Sequence, residues 1–241
     1  MKLYFSLIVT LAGALFTGAV VAAESTIFAS GQQQTTVVEL FSSQGCSSCP
    51  PAEAWLKKLT NSPKLWKEVI PISFHVDYWD NLGWKDPFAT PANTNRQYAY
   101  KEARLVKSVY TPSFVINGQE WLGWFTREAL PSSTNKAGIL TARLQDNQLN
   151  VSYDDKQQTL ELHVAILGFG LETAVTRGEN KQRILEEDFV LLAHTMAKAS
   201  NNQWQLALPT GFLTQAKRYG LAMWISRPNN MRPIQATGGW L

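Results

Sequence analysis

Two cysteines, and only two, occur in 241 residues, and they stand three positions apart in Gln44-Gly45-Cys46-Ser47-Ser48-Cys49-Pro50-Pro51. A disulfide stabilises most when it closes a long loop and gains little across two residues, so chemistry explains this pair better than stability does. A closed structural zinc site made of cysteine alone would need four such sulfurs. The motif follows residues 35–41, a run rich in β-branched side chains that reads as a strand. It precedes residues 51–59, where Ala52, Trp55, Leu56 and Leu59 fall on one helical face. Residues 69–76 form another apolar run, which suits a buried strand. Strand, Cys motif, helix, strand is therefore the expected opening.

A thiolate, not a thiol, attacks a disulfide, and a free cysteine has a pKa of about 8.5. With Cys46 at the start of the helix, unpaired backbone N–H groups and the helix dipole favour its anion. Cys49, one turn further, is then the thiol that resolves a mixed disulfide. Such a redox-active Cys46–Cys49 disulfide works without a bound cofactor, and none is expected.

The first 23 residues carry one cation, Lys2, then an uncharged apolar stretch ending in Val21-Ala22-Ala23 before Glu24. Charged start, apolar core and small residues at the end describe a cleavable export leader, and place the protein in the periplasm or outside the cell. The stretch is also long enough to span a bilayer, and the small residues favour cleavage over retention. A net charge of +3 gives no basic surface that points to nucleic acid. No membrane span is expected once the leader is removed.

Residues 77–94 make a long connection, of the kind that is functional or internally packed. Asn93, Thr94 and Asn95 offer N-caps for a helix reaching about Val109. Thr111-Pro112 cannot continue it, residues 113–116 read as a strand, and Asn117-Gly118 is a hairpin signal. A short strand through Trp121 and a helix starting near Thr126 complete this unit by about Ala142. Beyond it the chain changes character. Residues 160–166 alternate apolar and polar, and residues 149–153, 171–176, 189–194, 204–208 and 221–226 are short strand-like runs. They suggest a small antiparallel sandwich, with the boundary near residue 142.

The Cys motif and Thr111-Pro112-Ser113 together resemble the thioredoxin-like superfamily. That resemblance implies an α/β thioredoxin-like domain over 24–142, with a mixed central sheet flanked by helices, ahead of the mainly antiparallel β-sandwich that the short strand-like runs suggest over 143–241. It further implies a cis Thr111–Pro112 bond beside the reactive Cys46, with the Thr111 backbone presented to a bound peptide. Glu39 would be a buried acid that moves protons for Cys49, or else a paired structural acid. Residues 39–53, 75–88 and 109–112 are similar to a secreted bacterial family named domain of unknown function 1223. The likeness runs from about Thr35 to the C-terminus and includes residues 177–185, where Gln182 stands in place of an expected glycine.

His75 and Asp77 alternate about Val76. With Cys46 and Cys49, His75 offers a soft metal site; the other reading is a hydrogen-bonded pair anchoring the loop. Tyr78, Trp79, Trp84 and Phe88 either form a platform for a client peptide or pack the loop onto the domain. His163 and His194 read as structural. The expected function is an exported thiol–disulfide oxidoreductase that exchanges disulfides with extracytoplasmic client proteins or a redox partner. The alternative is a periplasmic metal- or partner-binding protein on the same scaffold. Mass spectrometry of the exported protein is expected to find a mature chain beginning near Glu24. An intact Met1 in the membrane fraction would contradict the leader.

Overall fold

A computed structural model describes residues 24–154, 159–199, 201–209 and 216–241; the expected leader lies outside them. The chain opens with β1 (Thr26–Ala29) and β2 (Thr36–Ser42), turns through the cysteines into α1 (Pro50–Lys57), and returns as β3 (Val69–His75). After the long connection come α2 (Pro91–Glu102), β4 (Ser113–Ile116), β5 (Gln119–Glu120) and the single turn α3 (Gly123–Thr126). The remainder is all strand: β6 (Leu140–Gln145), β7 (Gln148–Tyr153), β8 (Leu160–Phe169), β9 (Leu171–Ala174), β10 (Ile184–Glu187), β11 (Val190–Ala199), β12 (Gln203–Ala207), β13 (Arg218–Ser226) and β14 (Pro233–Trp240).

Eight strands share one sheet in the order β14-β13-β8-β11-β3-β2-β4-β5. β2 and β3 are parallel, and β11 joins β3 in parallel through Val190 opposite Ser73; the other neighbours are antiparallel. A second sheet, β1-β6-β7-β12, is antiparallel throughout, and β9 and β10 form a separate hairpin.

This architecture corrects the expected one. Among the described residues the protein is mainly β, with fourteen strands and three short α-helices; it is not an α/β thioredoxin-like domain followed by a sandwich. Strands from both sides of residue 142 belong to the same sheet, and residue 142 itself lies inside β6. The physical reason is that β8 and β13 are covered on both faces. Leu162, Val164, Ile166, Leu221 and Met223 pack with Leu149, Val151 and Trp204 of the second sheet. Ala165, Leu167, Phe169, Ala222 and Trp224, on the opposite faces, join the core that holds β2, β3 and α1. The polar half of the β8 alternation is covered as well. His163 stacks on Trp224 at 4.7 Å and lies 3.2 Å from both His194 and Ser226 Oγ. Burial, then the Arg96 charge, pushes His163 down to about 2 and keeps it neutral.

Two helix boundaries also differ from expectation. α2 starts at the Thr90 cap, whose hydroxyl accepts from Asn93 N–H, because Pro91 suits the first helical position; it ends at Glu102, before Arg104 with φ +58°. The helix expected to start near Thr126 is absent. α3 stops at Arg127 with φ +60°, and Pro131 holds Leu130 out of the helical region.

β2 carries Glu39 on the face toward α2. There Arg96 grips it with two hydrogen bonds of 2.6 and 2.9 Å, and the Tyr100 hydroxyl donates at 2.5 Å. Arg96 also lies 5.1 Å over the Phe74 ring and 5.4 Å over Trp224, so it ties α2 to strands from both halves of the sheet. Removing one partner of such a buried pair leaves an uncompensated charge. Arg96→Met is expected to cost about 3–5 kcal/mol in urea unfolding, with partial recovery when Glu39→Gln is added. A loss under about 1 kcal/mol, the range of an exposed pair, would contradict this role.

Candidate functional site

The Cys turn leaves the end of β2 at Ser42. Cys46 N–H donates to Ser43 O at 3.1 Å and Cys49 N–H to Cys46 O at 3.2 Å, so the four residues from Cys46 to Cys49 close on themselves. Cys46 and Cys49 form a disulfide. Gly45 allows the turn to pass against Trp79: a Cβ there would sit 2.9 Å from the Trp79 Cβ. The Trp79 indole in turn donates to Thr111 Oγ1 at 2.9 Å. Thr111–Pro112 is cis. Because Phe41 pairs with Ser113, the two residues lie beside the end of β2 from which the turn departs. Cys46, Cys49, Thr111 and Pro112 are thus gathered at one end of the sheet. Glu39 is not among them; it faces α2 and is held by Arg96.

The position of the cysteines corrects the expectation that Cys46 starts the helix. Cys49, not Cys46, is the N-cap of α1, and Pro50 and Pro51 follow it. Prolines have no N–H, and the next two N–H groups, of Ala52 and Glu53, both donate to Cys49 O. No free N–H of this first turn is left to stabilise a thiolate. Both cysteines are buried, at 0% and 1% exposure.

What covers them is the β9–β10 hairpin. Asn180, itself fully buried, donates to Gln44 O at 2.9 Å and to Cys46 O at 3.0 Å. Glu179 accepts from Ser47 N–H at 2.9 Å. The connection bends through Gln182 at φ +67°, left-handed backbone that glycine enters without cost, which accounts for the glycine expected at that position. A cavity of about 280 Å³ opens between α1 and β10, with Cys49, Glu53 and Glu187 in its wall.

Behind the disulfide lies a buried charged cluster. His75 Nδ1 meets Asp86 Oδ2 at 2.7 Å, and its Nε2 lies 3.6 Å from Glu53 and 4.0 Å from Glu187. Burial alone would push His75 down, but the Asp86 and Glu187 carboxylates outweigh it and lift it to about 10, so the ring is an imidazolium. Asp86 is held low against its own burial by that charge. Burial raises Glu53, and raises Glu187 to about 7, more than the His75 charge lowers them. Asp86 Oδ2 also accepts from Gln44 N–H at 2.8 Å, and Gln44 Nε2 donates to Glu187 at 2.7 Å.

His75 therefore pairs with Asp86 and not with Asp77. Asp77 instead accepts from Thr94 Oγ1 at 2.6 Å, anchoring α2. Among the described residues no three His, Cys, Asp or Glu side chains form a metal-holding group. The aromatic residues of the long connection pack it onto the site: Trp84 donates to Gln44 Oε1 at 3.0 Å, Tyr78 to Gln97 at 3.3 Å, and Phe88 meets the His75 ring edge-on at 5.6 Å. Sequence reasoning did not assign Glu53, Asp86, Asn180 or Glu187. The one local signal was Glu53, four residues after Cys49 and so on the same helical face.

Fold and site together define a mainly β protein with a buried two-residue disulfide backed by a carboxylate–imidazolium cluster. The chain belongs to the family described as protein of unknown function (DUF1223), whose model matches residues 37–226. It is similar in fold to the crystal structure of protein AGR_C_4864 from Agrobacterium tumefaciens, at 24% identity and a TM-score of 0.63, over 86% of this chain and 95% of that one. It is also similar to HBP35 of Porphyromonas gingivalis, at 13% identity and a TM-score of 0.57, over 88% of this chain and 76% of the other. No curated protein matches. Among the described residues no helix is long and apolar enough to cross a membrane.

The hairpin's hold on the disulfide is open to a direct check. Asn180→Ala removes two hydrogen bonds, each worth about 0.5–1.5 kcal/mol, and is expected to speed reduction by dithiothreitol about tenfold while circular dichroism stays unchanged. An unaltered reduction rate would show that the hairpin does not limit access.

Proposed function

We propose that this protein is an exported thiol–disulfide oxidoreductase that exchanges disulfides with extracytoplasmic proteins through Cys46 and Cys49. The observation that carries this reading is a disulfide that closes only two residues, at the start of α1, with buried protonatable carboxyls on one side of it. Loop closure gains little there, whereas exchange needs a reversible bond and a nearby route for protons. An oxidising compartment, as the apolar leader implies, is where such a bond persists.

In the exchange an incoming thiolate forms a new bond to one sulfur of the pair, the Cys46–Cys49 bond breaks, and the electron pair remains on the other sulfur. A second thiolate of the substrate then attacks the substrate sulfur of this mixed disulfide, so the substrate leaves with a disulfide and both protein cysteines are left reduced; the same steps run backwards let the reduced pair open a substrate disulfide. With Asn180 over the Cys46 carbonyl, a protein substrate reaches the sulfurs only when the hairpin moves aside.

The test is transfer itself. Reduced protein mixed with a disulfide-bonded peptide is expected to regain its own disulfide as the peptide loses one, in equal amounts. Cys46→Ser and Cys49→Ser should each abolish that transfer, with mixed disulfides accumulating on Cys46 in Cys49→Ser and few or none trapped in Cys46→Ser. Failure of the unaltered protein to exchange, with its thiols still free to alkylating reagents, would overturn the proposal.

A further inference from the structure

We infer that Glu53 is the proton donor and acceptor for the Cys49 sulfur, an inference that rests on the exchange reading above. Three independent features of the site point to it.

The first is placement. Cys49 has helical backbone angles, φ −76° and ψ −38°, and Glu53 N–H donates to its carbonyl at 3.1 Å. The two side chains are thus one turn apart on one face, where i and i+4 residues are neighbours, and both line the same cavity. The second is an unmet bonding capacity. Glu53 is 6% exposed; its Oε1 accepts from Ser73 Oγ at 2.8 Å, while its Oε2 has no hydrogen bond of ordinary length and meets only the weaker pull of the nearby Ser42 hydroxyl. An unpartnered carboxyl oxygen held out of water is costly unless it takes up a proton or meets a donor, and a newly formed thiol beside it is such a donor. The third is the loss of the usual alternative, since Pro50 and Pro51 take away the backbone donors that would hold a Cys49 thiolate.

The steps balance. When an incoming thiolate bonds to Cys46 Sγ, the Cys46–Cys49 bond breaks and its electron pair goes to Cys49 Sγ. The Glu53 carboxylic acid gives that sulfur its proton and is left as a carboxylate facing the His75 imidazolium. In the reverse direction the carboxylate takes the proton from the Cys49 thiol. The thiolate so formed attacks Cys46 Sγ of the mixed disulfide and expels the substrate thiolate. His75 from β3 and the Ser42 and Ser73 hydroxyls stabilise the ionised form of Glu53, and Asp86 and Glu187 oppose it. The rim of the cavity adds Lys57 and Glu186, which pair with each other, and Arg183, which bonds Asn180. Burial keeps Glu53 above the ordinary carboxylate range, as suits a group that must hold a proton before giving it.

The experiment is the rate of disulfide reduction by dithiothreitol as a function of pH, on the full chain. Glu53→Gln keeps an oxygen to accept from Ser73 and is expected to slow reduction about a hundredfold near neutral pH, the scale of one general acid, and to remove one inflection from the pH profile. Glu53→Asp retains a titratable carboxyl and should keep that inflection, which guards against a variant that is merely misfolded. Glu187→Gln should shift the inflection to lower pH by removing a neighbouring negative charge, without abolishing it. Unchanged rate and profile in Glu53→Gln, in a protein that still exchanges with the disulfide peptide, would overturn this inference and leave the proposed function standing. No exchange by the unaltered protein would overturn both.

Discussion

The contact between His75 and Asp86 is the interaction on which the rest of the site depends. One carboxylate oxygen of Asp86 receives both the imidazolium and the Gln44 N–H, so a single buried ion pair fixes the end of β3, the long connection and the turn that carries the cysteines. Taking two charges out of water costs several kcal/mol per ion, and the pair must recover this through geometry and additional hydrogen bonds. The donors around it do that. Gln44 and Phe88 give backbone N–H groups to Asp86, and Asn93 donates to the His75 carbonyl at 2.9 Å. Once His75 is held as a cation, Glu53 and Glu187 can be buried near it without a second cation of their own.

This explains why the disulfide lies inside the protein. A helix that begins with two prolines has no free backbone donor in its first turn to offer a Cys49 thiolate, and the charged cluster behind it provides protonatable groups in their place. The β9–β10 hairpin completes the enclosure from one side and the packed aromatic connection from the other. Both are held by Gln44, which bonds Trp84, Thr173 and Glu187 at once. The site is therefore assembled by segments from both halves of the chain, which the shared eight-stranded sheet keeps in register.

The parts of this arrangement legible in the sequence were those with local rules. A β-branched run gave β2 and an apolar run gave β3, Asn117-Gly118 gave the β4–β5 hairpin with φ of +47° and +80°, and apolar spacing gave α1. Most strands after residue 142 were readable in the same way. Their sheet was not, because alternation says which face of a strand is apolar and not which distant strand it joins; β11 meets β3 through one paired position far away in sequence. The helix expected after Thr126 failed because Leu130-Pro131 overrode a weak helical pattern. At the site, cysteine spacing was informative by itself. Glu53, His75, Asp86 and Glu187 lie on four separate segments, and only the fold brings them within reach of one another. Glu39 was the acid to which the resemblance pointed, yet β2 turns it toward Arg96 and α2 rather than toward the cysteines.

The central claim is that the buried Cys46–Cys49 bond exists to be made and broken. Equilibrating the folded protein in thiol–disulfide buffers and counting free thiols measures its reduction potential directly. A reversible transition between about −120 and −270 mV, the span of dedicated exchange proteins, is the result this account predicts. A potential below about −300 mV, where structural disulfides lie, or reduction only on unfolding, would contradict it.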